Sequence, residues 1–110
     1  MSTTQESIIH TDGIVTRDAD ARTILRQIGN MTLLSLGARD IVDLGCGIRF
    51  TVGRGKSRKV VVKLAANDTY SVEFVRIKQN FTAVSEFFAE DIYFDRLAEL
   101  LLDAADKVYG

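Results

Sequence analysis

Every second residue is apolar in Ile48-Arg49-Phe50-Thr51-Val52, in Val60-Val61-Val62-Lys63-Leu64 and in Tyr70-Ser71-Val72-Glu73-Phe74. That period is the signature of a strand with one face buried. The first two runs are joined by Gly53-Arg54-Gly55-Lys56-Ser57-Arg58-Lys59, which is polar and contains two glycines able to take positive φ, and so reads as a hairpin loop. The second and third are joined by Ala65-Ala66-Asn67-Asp68-Thr69, where Asn and Asp side chains bond nearby backbone amides. Asp68 is assigned the bond to the backbone of Tyr70. Asp40 to Ile77 is therefore expected to form a meander of at least three antiparallel strands, around which the rest of the chain is arranged.

Before the meander, Met1 to about Gly13 is rich in Ser and Thr and lacks periodicity, so residues 1-15 are expected to be a loosely held extension and 16-110 a single domain. Thr16 or Asp18 can cap a helix to about Ile28, with Ala21, Ile24, Leu25 and Ile28 on one face and Gly29 as its stop. The apolar run Met31 to Leu36 fits a buried strand, Gly37 to Asp40 a turn, Ile41 to Leu44 a short strand, and Gly45-Cys46-Gly47 a second turn. Phe81 to Phe88 is strand-like. From about Glu90 to Tyr109 the period changes, and Tyr93, Leu97, Leu100, Leu101, Ala104 and Val108 share a helical face. The expected fold is α+β: an antiparallel meander of about five to six strands, with a short N-terminal helix and a longer C-terminal helix packed on one face.

The totals narrow the function classes. One hundred and ten residues, 46% hydrophobic and 26% charged, suit one globular domain with its own core. A formal charge of -1 gives no overall attraction to nucleic acid or membrane. The single cysteine, Cys46, allows no intrachain disulfide, and neither a signal-peptide core nor a bilayer-length apolar run is present, so a cytoplasmic protein without membrane contact is expected. Proline is absent altogether, which argues against a Pro-rich linker or ligand motif.

Two enzyme motifs are matched only in part. Val42-Asp43-Leu44-Gly45-Cys46-Gly47 is like the opening of the S-adenosylmethionine loop of Rossmann-like methyltransferases. Arg49 stands where the next glycine belongs, however, and a strand follows rather than a helix, so a tight turn is the better account. Gly55-Lys56-Ser57 resembles the end of a phosphate-binding loop, but Phe50 holds the place of its first glycine. The only histidine, His10, falls in the expected extension, and one Cys with one His makes neither a nucleophile-base pair nor a typical zinc site. No enzymatic activity, cofactor or metal is expected.

Charge is distributed unevenly. Arg49, Arg54, Lys56, Arg58, Lys59 and Lys63 stand between Ile48 and Ala66 with no acid among them, whereas from Glu86 onward Arg96 and Lys107 are the only bases. A basic hairpin tip can sit on nucleic-acid phosphates, although no aromatic interleaves with it as single-strand binding favours. Phe81, Phe87, Phe88, Tyr93 and Phe94 form the other candidate surface. On a strand Phe87 and Phe88 point to opposite faces, and a ring left uncovered by a single helical layer would serve a partner or a second copy.

Thr23-Ile24-Leu25-Arg26-Gln27-Ile28-Gly29, Leu36-Gly37-Ala38-Arg39, the basic turn, Asn67-Asp68-Thr69-Tyr70-Ser71-Val72-Glu73-Phe74, and Ile92-Tyr93 with Leu97 together resemble a family of small proteins encoded by bacteriophages and other mobile elements. The resemblance spans about Asp18 to Tyr109. In that family the place of Asp43 to Gly47 looks like a loop between strands. It carries no assigned activity, so no residue role is transferred. It implies a phage or mobile-element accessory protein acting in a bacterial cytoplasm. The expected function is non-enzymatic binding of a host or phage protein, as an inhibitor of host defence or host machinery, through Arg54, Lys56, Arg58 and Lys59 at one end and Phe88, Tyr93 and Phe94 at the other. The alternative is a nucleic-acid-binding accessory protein using the hairpin loop 53-59.

Overall fold

The computed structural model describes residues 9-109. Five strands form one antiparallel sheet in sequence order: β1 (Arg39–Asp43), β2 (Gly47–Val52), β3 (Arg58–Leu64), β4 (Tyr70–Ile77) and β5 (Ala83–Ile92). Three helices complete it: α1 (Ala21–Ile28), α2 (Asn30–Leu36) and α3 (Leu97–Tyr109). The expected α+β meander is thus observed, with five strands. The first eight residues of the expected extension lie outside the described residues. Residues 9-15, by contrast, run over the sheet, with a 3-10 turn at His10–Gly13 in which Thr11 is buried.

Register follows from the alternation. Ile48 pairs with Val62, Phe50 with Val60, Val60 with Phe74 and Val62 with Val72, so these side chains share one face. That face is fully buried against Ile24 and Ile28 of α1, Leu36 of α2, and Leu97, Leu101 and Ala104 of α3. The helices all lie on one side, making a two-layer fold around a single core. Gly47 lets β2 cross β3 closely: a Cβ there would lie 2.0 Å from the Val62 carbonyl oxygen.

Four local expectations are corrected. Helix α1 is capped by Asp20, not by Thr16 or Asp18; its carboxylate accepts from Arg22 N at 3.2 Å and from the Thr23 hydroxyl at 3.1 Å. Thr16 instead forms a bridge with Ala65. Met31 to Leu36 is the helix α2, not a strand, because a short apolar run does not reveal its period, and Leu, Met and Ser without a β-branched cluster favour helix. Gly37 closes it in the left-handed region at φ 67°, with Gly37 N bonded to Leu34 O and Ala38 N to Leu33 O, both at 3.0 Å. This pattern is a Schellman motif. Only Leu36 is buried, and Met31 and Leu34 are 78% and 75% exposed.

The third correction concerns the C-terminal helix. It begins at Leu97 rather than Glu90, because β5 runs on through Ile92, whose pairing with Tyr70 holds the strand. Phe94–Arg96 then forms a 3-10 turn into α3. Fourth, the β3-β4 turn uses Asn67, not Asp68: Asn67 Oδ1 accepts from Thr69 N at 3.2 Å and from its hydroxyl at 2.6 Å. Asp68 takes the left-handed position at φ 68° and pairs with Arg17.

Irregularities mark both outer strands. In β1 the register steps from Arg39 opposite Thr51 to Val42 opposite Arg49, and Asp40 has φ 53°. In β5 it slips near Glu86 and again between Ala89 and Ile92, where Asp91 has φ 60°.

Candidate functional site

The face of the sheet away from the helices carries the residues that alternation assigned to solvent, yet Thr51, Ser71 and Glu73 among them are buried. Glu73, in the middle of β4, has no exposed surface. One carboxylate oxygen accepts from Thr11 N at 2.9 Å and from the Thr11 hydroxyl at 3.0 Å, and the other accepts from His10 N at 3.0 Å. His10 Nδ1 lies 2.9 Å from that second oxygen. Burial acts to raise the Glu73 pKa, but hydrogen bonds from the Ser85 side chain, the Thr11 and His10 backbone and the His10 ring outweigh it and hold the carboxyl below its usual range. The His10 ring also stacks on Phe88, with centroids 4.7 Å apart. Segment 9-15 is thereby strapped across the sheet by a charge in the middle of β4.

The basic residues are divided between the two faces. Arg54 and Lys56 are exposed in the loop between β2 and β3. Arg58 turns to the helix side, where its Nε lies 3.7 Å from Glu86 Oε1 and its guanidinium sits 4.5 Å above the Tyr109 ring. Arg76 Nε approaches the same Glu86 at 3.1 Å. Burial pushes the Tyr109 hydroxyl pKa up, with Glu86 adding to the rise and Arg58 opposing it. Lys59 stays on the face away from the helices and donates to the buried Thr51 hydroxyl at 2.8 Å. Arg49, exposed, and Arg39, opposite Thr51, join it there from neighbouring strands. The expected four-residue basic tip is therefore three residues, extended by two from outside the loop.

The aromatic set is likewise dispersed. Phe87 packs edge-on against Phe74 in the core, with centroids 5.9 Å apart. Phe88 lies on the opposite face under His10, and Phe81 is 88% exposed at the far β4-β5 turn. Tyr93 and Phe94 alone are adjacent and open, at 65% and 61% exposure, between the buried anchors Ile92 and Leu97. They stand beside a groove of about 250 Å³ whose wall includes Tyr93, Arg96, Leu100 and the carboxylates of Asp91, Glu99 and Asp103. Arg96 is engaged by Glu99 at 3.0 Å, which leaves the groove acidic. A second groove, of about 350 Å³, separates Gly13–Val15 from Glu90 and Asp91; beneath it the buried Ser71 hydroxyl has no partner among the described residues.

The motif-like stretches sit in structural roles. Asp43 accepts from Gly45 N at 2.8 Å, tying the tight turn from β1 into β2. The turn opens into a strand, without the helix that a nucleotide loop requires. No group of three or more His, Cys, Asp and Glu side chains is placed to hold a metal among the described residues. No helix among them is long and apolar enough to cross a membrane. No family model, curated protein or solved structure matches the chain.

Proposed function

We propose that this is a non-enzymatic accessory protein of a phage or mobile element that docks a basic segment of a host or phage protein against the Tyr93-Phe94 groove. The observation that carries the reading is the pair of consecutive open aromatic residues, of which Tyr93 lines the groove and Phe94 stands beside it. Ile92 and Leu97 are buried on either side, so little conformational freedom is left to lose when the rings are covered. Aromatic residues of this kind are the usual anchors of binding energy, and the surrounding Asp91, Glu99 and Asp103 select a partner of opposite charge. Inhibition of host defence or host machinery would follow if that basic segment lies at the target's own working surface.

The test is capture of a stoichiometric protein from infected host cells after nuclease treatment, repeated with a Tyr93→Ser/Phe94→Ser variant of unchanged melting temperature. Truncating one anchor costs about 2 kcal/mol, so affinity should fall roughly thirtyfold or more. Capture of the same protein at equal affinity by the variant, or no stoichiometric partner, overturns the reading.

A further inference from the structure

We infer that the face of β1-β3 away from the helices, where Arg39, Arg49 and Lys59 flank the buried Thr51 and Val61, is with the loop at its end a sequence-independent binding site for a nucleic-acid backbone. The inference is separate from the docking groove and rests on other residues. Cross-strand register places Arg39, Thr51, Lys59 and Val75 in one row and Val42, Arg49, Val61 and Glu73 in the next. Arg39 and Lys59 thus flank Thr51 across two strand spacings, about 10 Å, and Arg49 lies two residues along β2, about 7 Å. Both intervals exceed the axial rise of about 3.4 Å per phosphate of one duplex strand, so each of these cations can meet a separate phosphate. Arg54 and Lys56 continue the cationic surface beyond the strand ends.

The charges on this surface are available to a ligand. Arg17, Arg58, Lys63, Arg76 and Arg96 each have a carboxylate partner. None of Arg39, Arg49, Arg54, Lys56 and Lys59 has one among the described residues. Arg39 and Lys59 are instead oriented by neutral oxygens: Arg39 by the carbonyls of Gly37 and Gly55, Lys59 by the Thr51 hydroxyl. Such bonds fix the side chains without cancelling their charge. The acids nearby are largely occupied, since Glu73 is enclosed by its donors and Asp12 faces Lys63 at 3.6 Å. Asp40, exposed on β1, is the acid that remains next to Arg39.

The same face explains why bases would not be read. Its one aromatic in these rows, Phe88 opposite Glu73, is already stacked by His10 and offers no free ring to a base. Binding should therefore come from phosphate contacts, with duplex and single strand bound alike and without sequence preference.

Fluorescence anisotropy with a labelled duplex of about twenty base pairs, an equal-length single strand, and polyglutamate as a non-phosphate polyanion tests this. With about four phosphates neutralised, the slope of log affinity against log salt should be about -3 to -4, a loss of roughly a hundredfold between about 50 and 200 mM salt. Arg49→Ser/Lys59→Ser and Arg54→Ser/Lys56→Ser should each reduce that slope by about two. Arg22→Ser/Arg26→Ser, on α1, should leave it unchanged. Absence of binding at about 50 mM salt, slopes unaltered in both face variants, or equal affinity for polyglutamate would each overturn the inference.

Discussion

Replacing Glu73 tests the strap directly. Glu73→Ala removes the acceptor for two donors that have no route to water in place, the Thr11 amide and hydroxyl, while His10 is 49% exposed and can be solvated where it stands. Each orphaned buried donor costs about 1–3 kcal/mol. Undocking of residues 9-15 limits the total, because it returns both donors to water at the expense of the burial the segment provides. The expected loss is about 2–4 kcal/mol, a fall in melting temperature of roughly 10–15 °C for a domain of this size. Glu73→Met separates packing from hydrogen bonding: it restores side-chain volume but leaves the Thr11 amide and hydroxyl without an acceptor, so it should recover only the packing part of the loss. The melting temperature should then fall between those of the parent and of Glu73→Ala, and the Thr11 amide should lose its protection from hydrogen exchange. A Glu73→Ala protein with unchanged melting temperature and unchanged Thr11 exchange would refute the argument.

Two further outcomes follow from the same geometry. The Glu73 carboxyl titrates lower folded than unfolded, so its contribution is complete above the ordinary glutamate pKa of about 4.3 and disappears as pH falls through that value toward the folded one. Denaturant midpoints measured across that window should drop more steeply for the parent than for Glu73→Gln, and parallel curves would contradict the assignment. Gly47→Ala places a methyl 2.0 Å from the Val62 carbonyl oxygen and 2.7 Å from Lys63 Cα, both backbone atoms. It should cost more than about 3 kcal/mol by chemical denaturation, whereas Gly13→Ala, which meets nothing within 4 Å, should be tolerated.

How far the sequence foretold this molecule depended on whether a residue's role was local. Strands β2, β3 and β4 were legible because their period is set by burial on one face, and the pairing Ile48 with Val62 and Phe74 with Val60 follows from the turn lengths. The division of Phe87 and Phe88 between two faces followed from the same rule. Helix α2 was illegible because its seven residues span too few turns to display an amphipathic period. The start of α3 was misplaced because Asp91 and Glu90 look like helix-opening acids, while the strand pairing of Ile92 with Tyr70 is a long-range contact. Glu73 occupied a polar position in an alternating strand and so resembled any solvent-facing residue; its partners in the strap, His10 and Thr11, lie more than sixty positions away. No local pattern announces that. The basic set was half legible, since composition located the cations but not the face to which Arg58 turns.

The bulge in β1 bears on the behaviour of the molecule in crowded solution. The outer rim of a sheet is a template on which a second chain can lay a strand, and an even rim invites growth into fibrils. Here the rim is only five residues long, carries Arg39, Asp40 and Asp43, and is broken by the extra residue between Arg39 and Val42. A foreign strand would lose its hydrogen-bond spacing at that step and would meet charge of both signs. The open rim of β1 is thus protected by its own irregularity against the addition of a strand from a second copy.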